Sequence, residues 1–346
     1  MKKERAQRKL RILVLTHPTL VPPDDRDGHS DKEYAEWKTE YDVVTTLRGL
    51  GHEVRPLGVA DELQPIRAAV DEWKPHIAFN LIEEFHGLRE FDQHVVAFLE
   101  LLRVPYTGCN PNGLVLARSK ALSKKLLNYH RLPTPAFAVF PRGEKGRLRR
   151  GLKFPLIVKG LNQEASEGIS QASIVESEEK LAERVRFIHE RHVADAIVEQ
   201  FIEGREIYVS LFGRKRLTVL PVWELTFDKI PEGAIPIATE KVKHDVAFQE
   251  KWGIHQKKAE LAPELERQFE RVSKRAYRIL ELDGYARIDY RLSPDGHLYF
   301  IEANPNPEIA KEDEFASAAD AKGIAYPDLL QQLVNLGLAR GRSSAI

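Results

Sequence analysis

The chain has 346 residues, which is longer than one hydrophobic core usually organises, so two or three subdomains are expected. Apolar residues make up 42% of it and charged residues 30%, a composition typical of globular enzymes rather than of fibrous or disordered chains. Basic and acidic residues both number 52, and this balance gives no electrostatic argument for a nucleic-acid or membrane partner. Any anion-binding site must therefore be local.

The cysteine content and the N-terminus bear on the compartment. Cys109 is the only cysteine, which excludes an internal disulfide framework, and we interpret it as a packing residue. The basic N-terminus contains only a short apolar run, at 12–15, and no segment approaches the ~18–20 apolar residues that span a bilayer. We expect a cytoplasmic protein.

The first third of the chain alternates short apolar strands with amphipathic helices. The predicted elements are a strand at 11–16, a loop at 21–34, a helix at 36–50, strands from 52 and at 75–81, and a helix at 93–102. This alternation predicts an open α/β sheet. A polar loop at 80–87 contains Glu83, Glu84 and His86; because no further His or Cys follows at ligand spacing, we favour a polar or substrate-contacting loop over a metal cluster.

Basic residues mark the middle of the chain. A helix predicted at 119–130 carries Lys120, Lys124 and Lys125 on a face that we expect to be mostly solvated. A buried strand predicted at 154–159 ends in Lys159, and the polar loop 162–170 follows it. A lysine beside such a loop suits phosphate oxygens, although the P-loop pattern is missing.

Two strands, predicted at 196–201 and 206–212, follow a helix at 178–192. Exposed edge acids are the ordinary interpretation of Glu199 and Glu206. Alternatively, backbone groups at 200–202 bind a purine edge and Glu206 accepts hydrogen bonds from a ribose. The region 227–252 is long and irregular, as covering loops are, and a helix is predicted at 263–280.

The most informative stretch is 284–308, GYARIDYRLSPDGHLYFIEANPNPE. Side chains alternate on both sides of the Ser-Pro-Asp-Gly turn, which predicts a β-hairpin. Asp289 on one strand and Glu302 with Asn304 on the other then share a face. Two carboxylates and an amide carbonyl suit Mg²⁺, whose coordination shell is usually completed by water and by phosphate oxygens. The alternative is a solvated strand whose acids pair with Arg287 and Arg291.

Four ordered segments, 115–140, 154–170, 198–210 and 284–307, together resemble the ATP-grasp enzymes, and within them the D-alanine–D-alanine ligase branch. The resemblance runs from about residue 80 to residue 307. It implies an α/β (α+β overall) fold of three subdomains: an N-terminal α/β domain at 1–117, a central lid at 118–205 and a C-terminal subdomain with the metal site at 206–346.

The resemblance also implies roles for individual residues, by position. Asp289, Glu302 and Asn304 match the ligands of two Mg²⁺ ions, with Mn²⁺ as an alternative. Arg287 matches the arginine that faces the acyl-phosphate and tetrahedral intermediate, and Lys243, with Lys241 as the alternative, matches the γ-phosphate lysine. The matches to ATP-binding positions are Lys120, Lys159, Ser166, Gly168, Glu199, Gln200, Phe201, Ile202 and Glu206.

Departures from the family pattern concern the substrates. The glycine- and serine-rich loop of the family is here Glu164-Ala165-Ser166-Glu167-Gly168, and 16–25 lacks the Gly-Gly-Ser-Glu motif that contacts the first D-alanine. Glu308 and Asp313 stand where the glycine and serine that receive the second substrate's carboxylate are expected. Acids repel a carboxylate, so we expect an amine substrate with a cationic group instead.

The sequence thus predicts an ATP-dependent carboxylate–amine ligase that forms an acyl phosphate, releases ADP and phosphate, and is not a D-alanine–D-alanine ligase. Its partners are expected to be small carboxylates and amines, without nucleic acid or membrane, and a homodimer is left open. The alternatives are a phosphotransferase on the same scaffold and a non-catalytic ATP-binding regulatory protein.

Overall fold

A computed structural model describes residues 8–163 and 166–343 of the protein. Its strands form three sheets, which take their strands from residues 11–80, 137–200 and 205–305. The division into subdomains at 117 and 205 stays a prediction. Within the described ranges no helix combines the length and apolar character needed to cross a bilayer.

The N-terminal sheet is parallel, as predicted. Its strands are β1 (Arg11–Thr16), β2 (Glu53–Gly58) and β3 (Ile77–Asn80), in the order β2-β1-β3. The helices of this part are α1 (Asp31–Glu36), α2 (Lys38–Gly49), α3 (Gln64–Trp73) and α4 (Asp92–Leu101). All four residues of β3 are buried, which explains why the first three are apolar.

One predicted loop and one predicted helix differ from the structure. The loop expected at 21–34 ends early, because Ser30 caps α1 and forms a capping box with Glu33. The helix expected at 36–50 is interrupted at Trp37, which separates α1 from α2. After this break, the first residues of α2 face the segment that follows the C-terminal hairpin. There the Lys38 ammonium donates a hydrogen bond to the Glu312 carboxylate at 3.3 Å.

The central sheet is antiparallel and has a helix packed on it. After α5 (Pro111–Arg118) and α6 (Lys120–Tyr129) come β4 (Phe137–Phe140), β5 (Leu156–Gly160), β6 (Ile174–Val175), α7 (Glu178–Arg191) and β7 (Ala196–Gln200). The strand order is β4-β7-β5-β6. Leu181, Val185 and Ile188 of α7 are fully buried with β5 and β7, as their helical spacing predicts.

The C-terminal sheet has the order β11-β10-β8-β12-β13, with β9 paired to β8. Its strands are β8 (Arg205–Gly213), β9 (Leu217–Val219), β10 (Trp223–Phe227), β11 (Ile254–Lys258), β12 (Gly284–Leu292) and β13 (Leu298–Pro305). Its helices are α8 (Glu240–His244), α9 (Val246–Trp252), α10 (Pro263–Ile279), α11 (Glu314–Ala321) and α12 (Tyr326–Ser343). The region predicted as irregular, 227–252, thus contains two short helices.

Shared hydrophobic cores join the N-terminal and C-terminal sheets. One face of the N-terminal sheet packs with α2, α11 and α12, and Val14, Phe315 and Leu330 belong to this core. The other face belongs to a core that also includes α10 and the strands β8 and β12. The central sheet has a separate core of its own. The carboxyl ends of β1 and β3 are therefore held close to the segment that follows β13.

Candidate active site

A cleft lies between the central sheet and the C-terminal sheet. Its volume is about 780 Å³, including its opening to solvent. The predicted site residues that line it are Lys120, Lys159, Ser166, Glu199, Gln200, Phe201, Ile202, Glu206, Lys243, Asp289 and Glu302. Helix α6 and strands from two sheets thus bring side chains separated by more than 180 positions to one cavity.

The hairpin β12–β13 supplies the acids of the cleft. Asp289 pairs directly with Glu302, and Arg287 pairs with Asn304. The Asn304 amide Nδ2 donates to Asp289 Oδ2 at 3.1 Å. The predicted sharing of one face by Asp289, Glu302 and Asn304 is therefore present in the structure.

The alternation within β13 is not strict, however. The register shifts at Asp289/Tyr290, so that Tyr290 pairs with Phe300 and one residue of β13, Ile301, has no partner. Unbroken alternation would place Phe300 on the face of Glu302. The bulge instead lets Phe300 join the core while Glu302 stays in the cleft.

Arg287 links Asp289 to a buried acid that the sequence did not single out. Its Nε and Nη2 donate to the two Asp289 oxygens at 2.7 and 2.9 Å, and its Nη1 donates to Glu314 Oε2 at 3.3 Å. Glu314 also accepts from the Ser210 hydroxyl at 3.2 Å. Burial raises the pKa of the Glu314 carboxyl to about 7, although Arg287 acts in the opposite direction. Two buried acids thus hold the guanidinium in place.

Lysines face Glu302 from several elements. The Lys120 ammonium lies 3.6 Å from Glu302 Oε2 and also donates to the Gln163 carbonyl. Burial alone would raise the pKa of Glu302, but Lys120, Lys243, Lys159 and Lys124 together lower it to about 2. The cleft therefore combines an ionised carboxylate with several lysine ammonium groups.

Glu199 joins two of these lysines beneath the cleft. It is 1% exposed, and its oxygens lie 2.8 Å from the Lys124 ammonium and 3.0 Å from the Lys159 ammonium. The prediction of an exposed edge acid is wrong for Glu199, because β7 lies inside the sheet between β4 and β5. The prediction of a solvated lysine face holds for Lys125 but is wrong for Lys120 and Lys124, which are buried.

The backbone after β7 offers one free donor to the cleft. The amides of Gln200 and Phe201 donate to Ala136 and Pro155 within the protein. The Ile202 amide has no hydrogen-bond acceptor among the described residues, and Ile202 lines the cleft. Of the three predicted backbone positions, residue 202 is therefore the one whose N–H can receive a base edge.

Glu206 lies across the strand pair from Arg291, and the two form an ion pair of 3.2 Å. The Tyr208 hydroxyl donates to the other Glu206 oxygen at 2.9 Å. These partners fix the carboxylate at the wall of the cleft. A carboxylate in this position can accept from the hydroxyls of a sugar.

The two loops that cover the cleft are described in part. Glu164 and Ala165 lie outside the described residues. Ser166 lines the cleft, whereas Gly168 is not among the lining residues and its amide donates to Glu240 at 3.1 Å. On α8, Lys243 lines the cleft and Lys241 is exposed outside it.

Glu308 and Asp313 are outside this cleft. They line a neighbouring cavity of about 910 Å³, including its opening, which we call the acidic pocket. Its charged lining residues are Glu36, Lys38, Glu40, Glu83, Glu308 and Asp313. Glu308 and Asp313 also line a third cavity together with Arg287, Lys243 and Asn304, which connects the acidic pocket to the site around Arg287.

Three residues of these sites were missed by sequence reasoning. Lys124 could have been predicted from the sequence, since it follows Lys120 by four positions and so lies on the same helix face. Glu314 contacts Arg287 across 27 positions and Glu40 lies on α2, far from Glu308 in sequence, so neither has a local signal.

The donor set fits a magnesium nucleotide. Within residues 8–163 and 166–343 no group of three or more His, Cys, Asp and Glu side chains is arranged to hold a metal ion. Asp289, Glu302 and Asn304 supply oxygen ligands only, and a set this small leaves positions for water and phosphate oxygens, as Mg²⁺ prefers. Lysines around the same cavity suit the phosphate charge.

The arrangement of the sheets is that of the ATP-grasp fold. The D-alanine–D-alanine ligase of Bacillus anthracis, solved in complex with ATP, superposes with a TM-score of 0.73 at 24% identity, covering 97% of this chain and 100% of the ligase. The corresponding ligase of Coxiella burnetii gives a TM-score of 0.69 at 19% identity, covering 97% and 96%.

Sequence comparison defines the family more narrowly. Residues 126–335 match the family model "D-ala D-ala ligase C-terminus". The D-alanine–D-alanine ligase of Desulfotalea psychrophila is 31% identical over 279 residues, covering 80% of this chain and 82% of that protein. "Uncharacterized protein y4sG" of Sinorhizobium fredii is 31% identical over 306 residues, covering 86% and 87%. The chain belongs to the D-alanine–D-alanine ligase family and is an ADP-forming carbon–nitrogen ligase; the family implies ATP and Mg²⁺.

Proposed function

We propose that the protein joins a carboxylate to an amine through an acyl phosphate and is not a true D-alanine–D-alanine ligase. The observation that carries the first part is the convergence of Asp289, Glu302 and the lysines in one cleft beside Arg287. The second part rests on the acids Glu308 and Asp313 next to that cleft.

The proposed reaction begins with the activation of a poor electrophile. An oxygen of the substrate carboxylate attacks the γ-phosphorus of ATP, the bond to ADP breaks, and an acyl phosphate forms. Lys120, Lys159 and Lys243, which line the cleft, would neutralise phosphate charge during this step. Asp289, Glu302 and Asn304 would hold two Mg²⁺ or Mn²⁺ ions, which would neutralise further charge on the phosphates.

The second step forms the amide. The nitrogen of the neutral amine attacks the acyl carbon, phosphate leaves with its bridging oxygen, and one proton passes from the nitrogen to solvent. Negative charge develops on the acyl oxygen, and Arg287 is the cation that we assign to it. Its two acidic partners, Asp289 and Glu314, orient the guanidinium before the substrate arrives.

The acceptor side disfavours a free carboxylate such as that of D-alanine. Glu308 is exposed in the acidic pocket and has no ion-pair or hydrogen-bond partner among the described residues. Asp313 accepts from the Ala310 amide at 2.8 Å, and the Lys38 ammonium lies 3.9 Å from its other oxygen. A substrate carboxylate placed there would face two acids with one shared lysine.

The test is an ADP-release assay on the purified protein with a panel of carboxylates and amines, followed by mass spectrometry of the products. We expect an amide product, with phosphate released only when both substrates are present. Strong and exclusive turnover of D-alanine would refute the substrate part of the proposal. A stable phosphorylated product without amide would identify a phosphotransferase, and ATP binding without ADP release would identify a regulatory protein.

A further inference from the structure

The acidic pocket is built from several distant parts of the chain, including residues 80–83, which contribute Glu83. Residues 36–40, at the junction of α1 and α2, form one wall, and residues 306–313, after β13, form the other. Five of its charged lining residues are acids, and Lys38 is the one base. The Lys38 ammonium is already 3.3 Å from Glu312, so it neutralises the pocket only in part.

Glu40 is the least expected of these acids. It is 5% exposed, and its Oε1 accepts from the Thr16 hydroxyl at 3.2 Å. Among the described residues no lysine, arginine or histidine lies within ion-pair distance of its carboxylate. A buried carboxylate without a cation is costly, which distinguishes Glu40 from the ordinary solvated acids of a protein surface.

The acids of the pocket also act on one another. Burial raises the pKa of Glu40, and the charge of Glu308 raises it further. Burial and Glu308 have the same effects on Asp313. Glu308 is thus close enough to repel the carboxylates of both Glu40 and Asp313. One cation between the two walls would reduce the repulsion among these three carboxylates.

The pocket is connected to the reacting centre. Glu308 and Asp313 line both the acidic pocket and the cavity that contains Arg287 and Asn304. A molecule whose nucleophilic nitrogen lies near Arg287 can therefore extend its far end between Glu308 and Glu40. A neutral or anionic far end would leave these carboxylates uncompensated.

We propose that the amine substrate carries a second positive charge, as in a diamine or a basic amino-acid derivative, and that Glu308 and Glu40 bind this second cationic group. This inference rests on the proposed function, because it names the class of amine that the ligase accepts. It adds Glu40 of the N-terminal domain as a specificity-determining residue.

A binding experiment tests the inference without requiring turnover. The full chain is titrated calorimetrically with putrescine and with butylamine, which have the same carbon chain and differ by one ammonium group. Charge-assisted contacts predict that putrescine binds roughly ten- to a hundredfold more tightly. Glu308→Gln and Glu40→Gln should remove most of this difference, whereas Glu266→Gln, on the exposed side of α10, should preserve it. Glu308 is exposed, so its variant is expected to fold even if the Glu40 variant does not.

Equal binding of the two amines, or a preference that survives Glu308→Gln, would overturn the inference. ADP release separates this failure from that of the proposed function. Amide formation with neutral and doubly charged amines alike would leave the ligase proposal intact and refute the second cation. Putrescine selectivity without any amide formation would support the cation site and refute the ligase proposal.

Discussion

Replacing Glu199 with Gln should destabilise the protein and reveal the charge cluster beneath the nucleotide cleft. The carboxylate is 1% exposed and holds the ammonium groups of Lys124 and Lys159 at 2.8 and 3.0 Å. Glutamine keeps the shape of the side chain but removes the charge. Two buried lysines would then lose the one carboxylate that is in direct contact with both, which is the costly way to break a buried ion pair.

The expected loss of unfolding free energy in Glu199→Gln follows from the pKa of Glu199. Burial would raise this pKa, but Lys124 and Lys159 outweigh burial and lower it to about 2, against an ordinary value of 4.5. Each pKa unit corresponds to about 1.4 kcal/mol, so the carboxylate charge contributes about 3 kcal/mol to the free energy of unfolding at neutral pH. Removal of one partner of a buried pair typically costs about 3–5 kcal/mol, which agrees.

The pH dependence gives an independent check. Because the folded pKa is depressed, the contribution of Glu199 is complete above its unfolded pKa and is lost as pH falls from about 4.5 to about 2. The difference in unfolding free energy between wild type and Glu199→Gln should therefore shrink by about 1 kcal/mol between pH 6 and pH 3.5.

Urea unfolding at several pH values measures both quantities. Glu203→Gln is the matched control, since Glu203 is an exposed acid four positions away and should lose less than about 0.5 kcal/mol. A loss below about 1 kcal/mol for Glu199→Gln, or a loss that does not change with pH, would refute this account of the cluster.

Three further predictions concern the cleft. Asp289→Asn should reduce ADP release by about a thousandfold or more, because it removes a proposed metal ligand and the partner of Arg287; nearly normal turnover would refute the site. Lys243→Ala should reduce kcat for ADP release by about a hundredfold and Lys241→Ala by less than about threefold, and the reverse order would exchange their roles. Wild type should lose up to about 3 kcal/mol of unfolding free energy relative to Glu314→Gln as pH rises from 4.5 to 7, because burial raises the pKa of Glu314 to about 7 and makes its ionisation costly in the metal-free protein. Urea unfolding of both proteins at several pH values measures this difference. A difference that does not change with pH would contradict the burial of Glu314.

Much of the fold and part of the site were predictable because local patterns carry them. The parallel sheet follows from apolar runs separated by helices, and the shared face of Asp289, Glu302 and Asn304 follows from the two-residue period of a hairpin. The bulge in β13 was not predictable in this way. It depends on Phe300 reaching the core beneath Glu302, and no turn residue marks it.

The remaining surprises are long-range contacts. Lys124 was expected in solvent, and its burial depends on Glu199 of a strand 75 positions away. Glu40 and Glu308 line one pocket only because α2 and the segment after β13 share a hydrophobic core. Tertiary packing of this kind overrides the surface preference that charged residues have on average.

The central claim is that the protein activates a carboxylate by phosphorylation and then transfers it to an amine. The most direct measurement uses a carboxylate substrate labelled with ¹⁸O in both oxygens and determines the isotopic mass of the released phosphate. If an acyl phosphate forms, one labelled oxygen passes from the carboxylate to phosphate in each turnover. Unlabelled phosphate, released together with amide product, would contradict the claim.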